Sequence, residues 1–143
     1  MTTVLGITCI LFGMLGWIGQ IVTAVSPKLA ATISLTECES DVDPAFWADI
    51  RGEAVWDALV LWTLPAAGLL LLLKNGWWPY FGLIGGAVYV YFAGRGIATR
   101  LEMQRRNIQI GKPESVKLFY AFLSLWGLLG LVMVFIAASE LRL

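Results

Sequence analysis

The sequence predicts an all-α integral membrane protein, a four-transmembrane-helix bundle with helical extensions on the cytoplasmic side. Three observations lead there. Hydrophobic residues make up 59% of the chain and charged residues 14%, against roughly 45–50% and 25% in a soluble domain. A chain of 143 residues has too much surface for its volume to hide that excess in a core, whereas lipid lets the outer face be apolar too. The apolar residues also fall into four long runs, with most of the charges gathered in two of the connections between them. The length suits a single transmembrane domain over residues 1–143.

The first run covers about residues 3–25, carries no charge and stops before Pro27. It lacks the basic start of a secretory signal and exceeds the length of a signal core, so it is expected to stay as a helix. The second run, about 55–73, contains Pro65, which removes one backbone donor and should kink the helix. Lys74-Asn75-Gly76 closes it with a turn signal. The third run spans about 77–97 and the fourth about 116–138. At 1.5 Å per residue, each such run of about 20 residues crosses a hydrocarbon core of about 30 Å. Continuous runs without polar alternation exclude barrel strands, and lipid obliges such segments to satisfy their amides internally as helices.

The connections between runs carry the asymmetry. Residues 26–54 form an acidic loop with Glu37, Glu39, Asp41, Asp43, Asp49 and Glu53. Asp43-Pro44 reads as a helix start, with Asp as N-cap and Pro in the first helical position. The second helix is therefore expected to begin as early as Pro44. Residues 98–115 form a basic loop, with the third helix continuing to about Asn107 and Pro113 opening the fourth. Lys28, Arg51, Arg95, Arg100, Arg105, Arg106, Lys112 and Lys117 fall on the side of these two loops, and only Lys74 and Arg142 on the other. The positive-inside rule places both long loops in the cytoplasm and both termini outside. The expected location is a cytoplasmic (inner) membrane.

Counting equal distances from the Asn75 turn brings Arg95 and Arg100 to the depths of Asp57 and Glu53. Glu53 and Asp57 share one helix face at i and i+4, and Gln20 lies at a similar level on the first helix. A charge at that depth is costly unless paired or wetted. Glu53, Asp57, Arg95, Arg100 and Gln20 are thus expected to form a polar cluster, serving as a gate or ion-coupling site or as a clamp on hairpin register. The stretch from Glu37 to Asp43 alternates acids, but it lacks the spacing and central glycine of a calcium loop. Docking on the basic loop is the expected fate of that stretch. Arg100, Arg105 and Arg106 offer a place for anionic lipid.

Gly13, Gly16, Gly19, Gly85, Gly86, Gly127 and Gly130 form small faces for close helix packing, inside the bundle or between subunits. The chain has no histidine, which removes the commonest general base and metal ligand. No catalytic residue, metal or cofactor is expected, and no nucleic-acid signature is present. Cys9 and Cys38 lie about a membrane thickness apart and read as free thiols.

The function expected from these features is that of a non-enzymatic structural or accessory subunit in the lipid bilayer. It would pack through its helices as a homo-oligomer or against another membrane protein. The alternative is a small oligomeric ion or solute channel or transporter with the polar cluster at its cytoplasmic end. A lipid-modifying enzyme acting through Glu53 and Asp57 is a third reading.

Overall fold

The structure, a computed structural model, describes residues 2–141. Arg142, one of the two basic residues on the sparse side in the orientation count, lies outside them. The described chain is all-helical apart from turns and one isolated bridge. Its elements are α1 (Thr2–Val25), α2 (Pro27–Thr32), a 3₁₀ turn (Glu39–Asp41), α3 (Pro44–Val60), α4 (Thr63–Leu72), α5 (Trp78–Arg105) and α6 (Pro113–Glu140). Four helices are long and apolar enough to cross a membrane: α1, α3 and α4 taken end to end, α5, and α6. They run alternately up and down. The short turn after α4 marks the hairpin end of the bundle, and the long connections gather at the loop end.

The break between α3 and α4 follows from Pro65. Its ring cannot donate to the carbonyl one turn back, and the helix loosens at Leu61 and Trp62. Local side chains take up neighbouring carbonyls: Thr63 Oγ1 donates to Val60 O at 2.8 Å, and Trp62 Nε1 to Leu59 O at 3.0 Å. Glycines on the flanking helices seat the break. A Cβ on Gly13 would stand 2.7 Å from Pro65 Cδ, and one on Gly85 would stand 2.7 Å from Leu64 N.

Backbone contact through small residues recurs along the bundle. Gly6 and Gly68 bring α1 against α4, and Gly86 and Gly130 bring α5 against α6. These are the close approaches that dispersion between helices rewards when no water is available to drive association. Of the glycines expected to form packing faces, Gly13, Gly16, Gly85, Gly86, Gly127 and Gly130 meet neighbouring helices of the same chain, while Gly19 meets only Leu35 at 3.9 Å.

Three aromatic donors lace the helices together. Trp17 Nε1 donates to Ala58 O at 2.8 Å, Tyr89 OH to Gly13 O at 2.7 Å and Trp126 Nε1 to Phe12 O at 2.9 Å. Each satisfies a buried or half-buried polar tip by using the spare lone pair of a helical carbonyl.

Residues 26–54 are more structured than a loop. They fold into α2, the 3₁₀ turn and the first part of α3, which starts at Pro44 with Asp43 Oδ1 accepting from Ala45 N at 2.8 Å. Val42 pairs with Ile110, and Asp43 N donates to Gln109 O at 2.8 Å. Val42, Phe46, Ile50, Ile110 and Val116 form a small second core at the loop end. The two long connections are therefore stitched into one cap. α5 ends at Arg105, two residues short of the expected Asn107, which takes a left-handed φ of 58° in the turn beyond.

Candidate functional site

Two charge clusters lie at the loop end, and a shared wall separates them. In the first, Arg95 on α5 reaches α3: its Nη2 donates to Asp49 Oδ1 at 2.7 Å, and its Nη1 lies 2.7 Å from Glu53 Oε1. Asp49, Glu53 and Asp57 follow one another at i, i+4 and i+8, so α3 presents a stripe of three carboxylates. Asp57 was expected to meet Arg95 and does not: its carboxylate makes no hydrogen bond or ion pair among the described residues, although Asp57 is only 4% exposed. The reason is register. Gly85 meets Leu64, and equal steps from there set Arg95 level with Ala54, not Asp57. The long guanidinium stem then extends toward the wetter loop end, as such side chains do.

The second cluster surrounds Arg100, which was expected to meet Glu53. Its Nη2 instead lies 3.4 Å from Glu37 Oε1, and its Nη1 donates to Gly96 O at 3.3 Å. The guanidinium sits over the rings of Phe46 and Phe119, 5.2 and 5.5 Å from their centroids. Glu37 is 4% exposed. Burial pushes its carboxyl above the usual 4.5, and Arg100 draws it part of the way back. A Cβ at Gly111 would press to 3.0 Å from Glu37 Cγ, so this glycine leaves room for the buried acid. Lys112 reaches Asp41 at 3.0 Å, which raises the ammonium pKa. The acidic stretch thus docks on the basic connection through Glu37 and Asp41.

A cavity of about 200 Å³ opens beside Arg100, between α1 and α6. Its polar end carries Gln20, Thr23, Thr36, Glu37, Glu53 and Arg100, and its apolar end Leu15, Phe92, Phe122, Leu123 and Trp126. Gln20 therefore joins Glu53 and Arg100 around a space and makes no hydrogen bond to either among the described residues. α1 and α6 meet at few places, the Trp126–Phe12 hydrogen bond among them, and the cavity between them is partly open. On the far side of Glu53 and Phe92, a cleft of about 220 Å³ separates α3 from α5.

No family model, characterised protein or solved structure matches the chain. Its chemistry therefore has to be read from its own side chains.

Arg105 and Arg106 are exposed and share Glu102, at 3.9 and 2.7 Å, whereas Arg100 faces inward. The three arginines expected to meet lipid thus divide into two on the surface and one in the cap. Sequence reasoning overlooked Asp49 as a partner and expected the acidic stretch to dock on the basic loop without singling out Glu37. The i, i+4, i+8 stripe was there to be read for Asp49. Nothing in the order of residues marks Glu37 as the acid that turns inward.

Proposed function

We propose that the chain is an integral membrane protein of a cytoplasmic membrane, with four crossings, both long connections in the cytoplasm and both termini outside. The exposed faces of the long helices support this reading, carrying Leu11, Ile18, Leu59, Ile84, Leu128 and Phe135 among many others. In water they would form apolar patches far larger than a soluble monomer carries. The Lys and Arg excess at the loop end supports the orientation.

Within that frame the chain works as a non-enzymatic binding subunit that holds an amphiphile at the loop end. The single observation that carries this is the partly open cavity between α1 and α6, which joins an apolar, aromatic lining to a polar one. Ligand sites are mostly apolar with a few convergent polar groups, and this one sits where a bilayer amphiphile changes from tail to head. The charges lining it are already matched, Arg100 by Glu37 and Glu53 by Arg95. Gln20 and the unpartnered Arg100 Nε remain, which suits a neutral hydrogen-bonding head such as that of a monoacylglycerol. The glycine faces no longer argue for a subunit contact, because six of the seven are occupied within the chain.

A photoactivatable monoacylglycerol in nanodiscs tests the reading. It should label α1 and α6 saturably, compete with unlabelled monoolein, and fail on Gly19→Phe, which fills the cavity from its lining at a position where a Cβ meets only Leu35 at 3.9 Å. Labelling that does not saturate, or that survives Gly19→Phe, would remove the proposal.

A small oligomeric channel or transporter is the second reading, favoured by the thin partition of Glu53 and Phe92 between the cavity and the α3–α5 cleft. It requires flux in liposomes that Asp57→Asn alters.

A further inference from the structure

Asp57 is a buried acid that the packing of the chain does not explain. Its Oδ2 is shut off from solvent and has no partner among the described residues. A buried charged group left without a partner costs more than most single contacts return. Arg95 is the nearest guanidinium on the facing helix, and it is committed to Asp49 and Glu53. The cleft is lined by Glu53 and Asp57 against Arg95 alone, and Arg95 also holds Asp49, so negative charge is in excess.

The cleft beside Asp57 has aromatic walls. Trp56 and Tyr91 flank it, Phe92 lies against it, and its volume is about 220 Å³, roughly seven times the share of one water in the liquid. A hard metal ion is a poor match: no three acidic or thiol side chains among the described residues converge to hold one, and such ions take six or more oxygens. Indole and phenol faces instead attract cations whose charge is spread over alkyl groups.

We propose that the cleft between α3 and α5 binds a small organic cation, with its ammonium against the Asp57 carboxylate and its alkyl or aryl groups between Trp56 and Tyr91. Glu53 stays with Arg95 and supplies long-range attraction. The site is separate from the amphiphile cavity, since Glu53 and Phe92 stand between them, and it does not depend on that cavity being occupied.

The test is calorimetric titration of the whole protein in nanodiscs with benzyltrimethylammonium. Saturable binding at one site per chain is expected, at least ten-fold weaker in Asp57→Asn and several-fold weaker in Trp56→Leu. Gly94→Ala, where a Cβ meets nothing within 4 Å, and Gly19→Phe should leave it unchanged. Asn is isosteric with Asp and removes an unpaired buried charge, so Asp57→Asn should unfold no earlier than the parent. Trp56 is largely exposed, so Trp56→Leu gives an independent arm. The proposal falls if no saturable heat appears, if Asp57→Asn binds as well as the parent, or if the neutral isostere neopentylbenzene binds equally. An isotherm reproduced by sodium chloride alone would assign the cleft to an inorganic ion and overturn the organic class.

Discussion

Arg100 is held at once by Glu37, by the Gly96 carbonyl and by two aromatic faces. Truncating it leaves Glu37 buried without a counter-charge, with only the Thr36 hydroxyl at 3.5 Å, which costs about 3–5 kcal/mol at neutral pH. Arg100→Ala should lower stability by that order in chemical unfolding in mild detergent. Arg100→Met together with Glu37→Gln should recover much of the loss, because an uncharged pair needs no compensation. The pH dependence has a definite sign. Glu37 titrates above 4.5 when folded, so its contribution is complete below pH 4.5 and fades as pH rises through the raised value. Arg100 opposes that rise. Its removal should therefore cost less at pH 4.5 than at pH 7, and equal losses at the two values would contradict the assignment.

At the scale of elements, the bundle is set by where backbones touch. Gly86 and Gly130 bring α5 and α6 within reach of each other's carbonyls: a Cβ on Gly86 would stand 2.7 Å from Gly130 O. Rigid backbone cannot yield as a side chain does, so Gly86→Ala should destabilise by about 1–3 kcal/mol, the cost of overpacking. Gly94 lies on the same helix with nothing nearby. Gly94→Ala should be neutral or stabilising by up to about 1 kcal/mol through helix propensity. Unfolding of the two variants side by side checks both, and equal effects would mean that the α5–α6 contact is not close. The α3–α4 break belongs to this scale as well. Pro65 was legible as a kink, whereas its seat between Gly13 and the stretch facing Gly85 was not, because two other helices create it.

For the molecule as a whole, the alternation of the four long helices puts both described ends and the α4–α5 turn at one end, and the folded cap at the other. Cys38 is exposed within that cap, and Cys9 is buried in the main core. The orientation proposed above predicts that a membrane-impermeant maleimide labels Cys38 in inverted vesicles and not in intact cells. Cys9 should react only after unfolding. Labelling of Cys38 from outside would reverse the orientation and leave the fold intact.

The order of residues by itself determined four helices of spanning length, the helix start at Asp43-Pro44, the tight turn at Lys74-Asn75-Gly76 and the level at which charges collect. Each of these depends on a local sum: hydropathy over a run, a capping side chain, a turn residue. Tertiary structure alone decided that Arg95 takes Asp49 and Glu53 and that Arg100 takes Glu37. It also decided that Asp57 is left facing a cleft and that Gln20 lines a cavity. A shift of less than one helical turn between α3 and α5 changes every partner, and that shift is fixed by glycines meeting backbone on neighbouring helices, a contact no run of sequence encodes.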